Sequence, residues 1–425
     1  MEIPNDTQSK TSIQGDISPH KGEDTKLFPQ REVVCNNQQS KDLRESQGCE
    51  HSCNSLNMQT HTKIFTNPLY LTSGRILEPY QIIYETYGTL NDDKSNAILI
   101  THALTGSHHC AGRYEHEKKV GWWDNMVGDH KPIDTTKYFV ICANVIGSCY
   151  GSTSPISPIY GSFGDNGYYR FKFPVITIQD MVKAIRILLN SLEISCLYAV
   201  IGGSMGGMQA LSFAILYPKS ARAFIPIAMS YSSNPQVIMI NKVMREIVML
   251  DSDFKGGNYA INSGELPAFK GLQIARMLGF SQYISLATMQ KKFARNYVGT
   301  DGAFDLLGRF EIERYLDYNG ANFTKYFDPL CYLYLIRALS MYDATLGFDN
   351  LENALKKIKS PLHLIGFSGD NMFPINEMLE IKKCMDMLNI PCTFYEVQSD
   401  YGHDSFLVEV EKYGEYVKDL IDNIK

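Results

Sequence analysis

The sequence predicts an α/β fold: a mainly parallel sheet with helices on both faces, interrupted by an inserted helical segment. Three observations predict it. Continuously apolar runs of strand length alternate with segments of helix length, which is the pattern of a parallel sheet buried on both faces. The alternation stops between about 232 and 350, where helical periodicity dominates, and then resumes. A glycine-flanked serine, Ser204, lies where one apolar run passes into a helical segment.

Taken in order, residues 1–60 are rich in Gln, Asn, Ser, Lys, Glu and Asp and poor in large apolar residues. Such a segment cannot bury enough surface to offset its ordering entropy, so a disordered N-terminal extension is expected there. Met58 precedes the change in composition and is a candidate start of the native protein, which an intact mass would decide. The first part of the α/β core is expected over 61–231. Gln81–Tyr87 alternates like a half-buried strand. The runs 97–101, 138–144 and 197–201 read as buried strands, and 223–228 as a fourth whose Pro226 suggests an irregular end. Residues 177–192 read as a helix with Thr177 as N-cap and Asp180 three residues on. Residues 208–217 continue as a helix after the serine. In the insertion, 232–350, the clearest helical pieces are 237–250 and 272–277. The second part of the core, 351–425, holds strands at 362–366 and 393–397 with a helix at 377–388. No internal repeat is evident.

Composition narrows the function classes. The net charge of -6 argues against a nucleic-acid partner, which calls for a basic patch. No apolar run approaches the roughly 20 residues of a membrane span, and no apolar leader segment precedes the core. The ten cysteines are scattered without a framework of spacings, so reduced thiols in the cytoplasm are expected. Cys49-Glu50-His51-Ser52-Cys53 has metal-ligand residue types but no second ligand pair, and no metal is expected there. Consecutive residues rarely converge on one ion, so His108-His109-Cys110 is read as loop residues lining a cleft.

The chemistry centres on Gly202-Gly203-Ser204-Met205-Gly206. Strand, Gly-x-Ser-x-Gly, helix is the nucleophile elbow of the α/β-hydrolase fold: a sharp turn lifts the serine hydroxyl above the sheet, and small neighbours permit the close approach of strand and helix. No Lys-Ser/Thr pair follows, which excludes a phosphate loop, and Gly-x-Gly-x-x-Gly is absent. Serine needs a base and an orienting acid, and in this fold the chain order is Ser, Asp or Glu, His. Asp370 follows the strand ending at Gly366, and His403 follows the last strand, so Ser204, Asp370 and His403 stand in that order at strand ends. His363 lies inside a strand, and His20, His51 and His61 in or near the N-terminal extension. The oxyanion donors expected are the N–H of Met205, after the nucleophile, and that of Leu104, in the loop after strand 97–101.

These residues, together with several further stretches, resemble the homoserine O-acetyltransferase family from about residue 62 to the end. The stretches are 102–106, Gly121-Trp122-Trp123-Asp124, 139–144, 202–211, Gly271-Leu272-Gln273-Ile274-Ala275-Arg276 and Gly402-His403-Asp404. The resemblance implies acetyl transfer from acetyl-CoA, as co-substrate, to the hydroxyl of L-homoserine in methionine biosynthesis, with no cofactor. It implies a helical lid over the active site and a homodimer built through that lid. By position, Ser204, Asp370 and His403 match the family's triad, and Leu104 and Met205 its oxyanion donors. Arg276, Tyr283 and Asp404 match its acceptor-binding residues. An arginine can pair bidentately with the α-carboxylate, a carboxylate can take the ammonium, and a tyrosine can donate a hydrogen bond. Apart from the resemblance, the three read as a salt bridge in the insertion, a core tyrosine and a surface carboxylate.

The run from Gly147 to Pro155 departs from the commonest family form, having Ser148 and Tyr150 where Gly and Lys are usual and Ser154 before the proline. Transfer of a succinyl group, or acylation of serine, therefore stays open, since acceptors differing by one methylene are separated by only about 1–3 kcal/mol. An esterase on the same fold and a non-catalytic binding protein are the remaining alternatives. The arginine–tyrosine spacing argues against the first, and the intact triad order against the second.

Overall fold

Strands made almost wholly of apolar residues, with no charged one, are stable only when both faces are covered. Ala97–Thr101 and Phe139–Ala143 are such strands, and they lie at the heart of an eight-stranded sheet. The computed structural model describes residues 56–115, 119–160, 167–261, 267–299 and 304–424. The strands of the main sheet are β1 (Gln59–Phe65), β2 (Tyr80–Tyr87), β3 (Ala97–Thr101), β4 (Phe139–Ala143), β5 (Leu197–Gly203), β6 (Ala221–Ile227), β7 (Leu362–Phe367) and β8 (Cys392–Val397). Their order in space is β1-β2-β4-β3-β5-β6-β7-β8. β1–β2 and β2–β4 pair antiparallel, and every other neighbour is parallel.

The helices divide the molecule into two buried cores, one on each side of the sheet. α1 (Ile178–Ser191) opens on the expected cap: Asp180 N–H donates to Thr177 Oγ1 at 3.1 Å, and Thr177 N–H to Asp180 Oδ2 at 3.0 Å. This capping box satisfies two helix-end donors at once. α2 (Met205–Leu216) is buried almost all round, as a helix apolar on every face must be. Between β6 and β7 run α3 (Pro235–Leu250), α4 (Lys270–Tyr283), α5 (Leu286–Phe293), α6 (Glu311–Phe323) and α7 (Pro329–Ser340). The two ends of this insertion meet: Ser233 N–H donates to Tyr342 C=O at 2.9 Å, and Ala344 N–H to Tyr231 C=O at 2.7 Å. After it come α8 (Leu351–Leu355), β7, α9 (Ile375–Met387), β8, α10 (Ser405–Val408) and α11 (Gly414–Asp422).

The structure corrects three expectations. The boundary at residue 60 falls inside β1, which begins at Gln59 and pairs along its whole length with β2. β1 is a half-buried edge strand, so its polar Thr60, Thr62 and Lys63 stay compatible with pairing. Pro226 does not end its strand irregularly but pairs with Gly202 inside β6, while the ladder to β7 has partners only at Phe224 and Ile227 on either side of it. His108, His109 and Cys110 do not line a cleft: all three are buried, the two histidines beside Glu85 of β2, with His109 Nδ1 3.0 Å from its carboxylate, and Cys110 N–H donating to the Tyr87 hydroxyl at 3.0 Å. Tyr87 donates to the same carboxylate at 2.5 Å, and Tyr114 also donates to it. Residues 1–55, including Cys49, His51 and Cys53, lie outside the described residues. Among the described residues no disulfide joins two cysteines, and no described helix is long and apolar enough to cross a membrane.

Candidate active site

The turn from β5 into α2 is possible only because its neighbours lack side chains. A Cβ on Gly206 would lie 2.0 Å from the Thr101 carbonyl oxygen, and one on Gly202 2.4 Å from the same atom. Thr101 Oγ1 donates to Gly206 C=O at 2.8 Å, locking β3 to the start of α2. Ser204 is held at φ 59°, ψ -125°, a conformation that costs about 1–3 kcal/mol in a residue with a side chain. Its amide donates to Ile227 C=O at 2.9 Å, which offsets part of that strain.

The loops after β7 and β8 bring Asp370 and His403 to this serine. His403 Nε2 is 2.8 Å from Ser204 Oγ, and His403 Nδ1 is 2.8 Å from Asp370 Oδ2. The other carboxylate oxygen, Oδ1, accepts from Met372 N–H at 2.9 Å and Phe373 N–H at 3.0 Å, which fixes its plane. The rings of Phe373 and Phe406 meet the imidazole edge-on, at 5.2 and 5.6 Å between centroids. Burial alone would lower the pKa of His403, but the Asp370 carboxylate, helped by Asp404, raises it above the ordinary histidine value. A base hydrogen-bonded to both hydroxyl and carboxylate can take the serine proton and stabilise the resulting imidazolium.

Met205 is the first residue of α2, where helix geometry leaves amides without an intrahelical acceptor. Leu104 is buried in the turn after β3. Two residues that sequence reasoning missed hold that turn. His102 Nε2 accepts from Val145 N–H at 3.0 Å, so its Nδ1 carries the proton and donates to Ala103 C=O at 2.8 Å. Burial lowers the His102 pKa to about 4, keeping it neutral. Gln209 Nε2 donates to His102 C=O at 3.0 Å, tying the turn to α2. Both residues lie in sequence stretches already singled out, one directly after a strand and one on the elbow helix.

Arg276 and Tyr283 lie on α4, and the structure brings Asp404 to them. Asp404 N–H donates to Tyr283 C=O at 3.1 Å. The Arg276 guanidinium lies over the rings of Phe280, Tyr283 and Phe323, at 5.1, 5.2 and 4.9 Å from their centroids, a cation–π cage. Burial opposes its charge, but the Tyr283 and Tyr326 hydroxyls and the Asp404 carboxylate favour it more, so its pKa is raised. Tyr283 is pushed up mainly by burial, with the Arg276 charge pulling the other way, Asp404 adding to the rise, and hydrogen bonds to Tyr332 and Arg276 lowering it further. A half-buried cation and the Asp404 carboxylate thus act on each other, and the same carboxylate acts on the imidazole. Among the described residues, no group of three or more His, Cys, Asp or Glu is placed to hold a metal ion.

Comparison with known proteins agrees with this geometry. The family described as alpha/beta hydrolase fold matches residues 96–410. The chain is 57% identical over 366 residues to a homoserine O-acetyltransferase of Nautilia profundicola, covering 86% of this chain and 99% of that one. A crystal structure of homoserine O-acetyltransferase from Bacillus anthracis superposes with a TM-score of 0.78 at 26% identity, covering 87% of this chain and 99% of the other. The crystal structure of esterase E22 superposes with a TM-score of 0.76 at 27% identity, covering 86% and 100%. The chain therefore belongs to the homoserine O-acetyltransferase family, acyltransferases built on the α/β-hydrolase fold.

Proposed function

We propose that this chain transfers an acetyl group from acetyl-CoA to the hydroxyl of L-homoserine through an acetyl-Ser204 intermediate, a step of methionine biosynthesis. The observation that carries the reading is the backbone bond from Asp404 to Tyr283, which holds the residue after His403 against the helix of Arg276, whose charge the Asp404 carboxylate favours. A zwitterionic amino acid presents the complementary pair, carboxylate to Arg276 and ammonium to Asp404, with Tyr283 as a further donor. Water offers no such charges, which argues for transfer over the hydrolysis that the likeness to esterase E22 would otherwise suggest.

In the first half-reaction Ser204 Oγ attacks the thioester carbonyl as His403 Nε2 takes its proton. The oxyanion is held by the amides of Leu104 and Met205. His403 then returns the proton to the departing CoA sulfur. In the second half-reaction His403 takes the proton of the homoserine hydroxyl, which attacks the acetyl-serine, and Ser204 leaves reprotonated. Water must be kept from this intermediate. The insertion, 232–350, is assigned as the lid between core segments 61–231 and 351–425; the joining of its ends at Ser233 and Tyr342 supports its acting as a unit. Its exposed apolar side chains, Leu250 at 83% and Leu286 at 78% among them, support a homodimer through the lid. That no disulfide joins two of the described cysteines supports a cytoplasmic setting.

Steady-state assays pairing acetyl-CoA or succinyl-CoA with homoserine or serine test the reading. Homoserine with acetyl-CoA is expected to give the highest kcat/KM. CoA release no faster with homoserine than in water would overturn the assignment.

A further inference from the structure

The loop that carries the catalytic base is laced to the junction between α4 and α5. Ser285 N–H donates to Tyr401 C=O at 2.9 Å, and Asp404 N–H to Tyr283 C=O at 3.1 Å, so two backbone bonds bracket His403. Thr288 Oγ1 donates to Asp400 C=O at 3.0 Å, and Ser285 Oγ donates to the same oxygen. Both lone pairs of one carbonyl are therefore filled by hydroxyls of the insertion. The seam is closed to the point that Gly402, at φ +114°, has no room for a side chain: a Cβ there would lie 2.6 Å from Ser285 N and 2.9 Å from Tyr283 O. Within the loop, Ser405 Oγ donates to Gly402 C=O at 2.5 Å, so little slack remains between Asp400 and His403.

We infer that Ser285 and Thr288 are positioning residues for His403, fastening the base's loop to the inserted helices so that base and acceptor-binding residues move as one body. The identity of the acceptor in this statement rests on the transferase reading; the fastening of the base does not. The imidazole faces Ser204 from the elbow, Asp370 from the loop after β7 and Asp404 from its own loop, with Arg276 and Tyr283 of α4 beyond. Loosening the seam lets the ring drift from Asp370 and from Ser204 together. Misplacement of a reacting group by about 1 Å costs up to about a hundredfold in rate.

Thr288→Val tests this, because it keeps the β-branched shape and leaves the Ser285 bond to Asp400 in place. Thr288→Ser restores the hydroxyl. Single-turnover acylation by p-nitrophenyl acetate needs only the triad and oxyanion donors, and neither CoA nor homoserine. Thr288→Val is expected to slow it about threefold to tenfold, to slow acetyl transfer to homoserine by a similar factor, and to move the acid-side midpoint of acylation to lower pH. Thr288→Ser is expected to behave as wild type. The low-field proton resonance of the His403–Asp370 hydrogen bond reads the same displacement without turnover and should shift in Thr288→Val. An unchanged acylation rate, midpoint and resonance, with only a lower Tm, would overturn the inference and leave the transferase reading standing. Slowed acylation in a protein whose wild type ignores homoserine would do the reverse.

Discussion

The Asp404 amide and the Tyr283 carbonyl are joined at 3.1 Å, so the residue following His403 and the last residue of α4 are held backbone to backbone. This bond makes one site out of two parts of the chain. It ties the loop of His403 to the helix that carries the caged Arg276.

The elbow tolerates no side chain at Gly206. Gly206→Ala sets a Cβ against the Thr101 carbonyl and is expected to cost about 3 kcal/mol or more, since the atoms met are backbone. Gly347→Ala, in open space at φ +87°, should lose only the conformational preference, about 1–2 kcal/mol. Equilibrium denaturation of the two variants checks the contrast; equal losses would contradict it.

The base must be neutral to accept a proton. Because Asp370 holds the His403 pKa above the ordinary 6.5, kcat/KM should fall on the acid side with a midpoint above that value. Asp370→Asn removes the carboxylate's charge and leaves only Asp404 to oppose burial, so the midpoint should drop below the wild-type one. The same change should lower kcat by about ten-thousandfold. A pH–rate profile of both proteins tests the direction, and an upward move of the midpoint would refute the assignment of Asp370.

Arg276→Ala should raise KM for homoserine about tenfold to a hundredfold, the scale of a lost charge-assisted hydrogen-bond pair. It should leave acylation by p-nitrophenyl acetate nearly unchanged. Arg276→Lys keeps the charge but not the fork and should fall between. Kinetics of the two half-reactions separate these effects.

The meeting of Ser204, Asp370 and His403 was legible in the sequence because each sits at the end of a recognisable apolar strand, in the chain order this fold requires. The elements around them were less so. β1 was hidden because Thr60, Thr62 and Lys63 sit on a half-exposed edge strand, where polarity and pairing coexist. Pro226 suggested an irregular strand end, yet the β6 ladder carries it. His108 and His109 looked like cleft residues because their partner, Glu85, lies on a strand far from them in sequence. The placement of Arg276, Tyr283 and Asp404 came from family resemblance; their meeting is a long-range contact with no local periodicity.

Buried histidines predict how the fold fails in acid. His102 is held neutral by burial, with a folded pKa of about 4 against 6.5 in the unfolded chain. Its contribution is full above pH 6.5 and is lost as pH falls toward 4, about 1.4 kcal/mol per pH unit for one proton. Glu85 works lower. Burial resists its ionisation, but the hydrogen bond from His109 and the charges of His108 and His109 hold its pKa at about 2. That contribution is lost as pH falls from 4.5 toward 2. Urea midpoints from pH 7 to 4 should fall continuously, and His102→Gln should flatten the upper part of the decline.

The central claim is that Ser204 carries the acetyl group between donor and acceptor. Intact-mass analysis of enzyme mixed with acetyl-CoA alone, followed by addition of L-homoserine, tests it directly. The account predicts one added acetyl group, mapped to the peptide holding Ser204 and missing in Ser204→Ala, that disappears on adding homoserine as O-acetylhomoserine forms. Product formation at normal rate by Ser204→Ala, or an acetyl-enzyme that decays no faster with homoserine than in water, would contradict it.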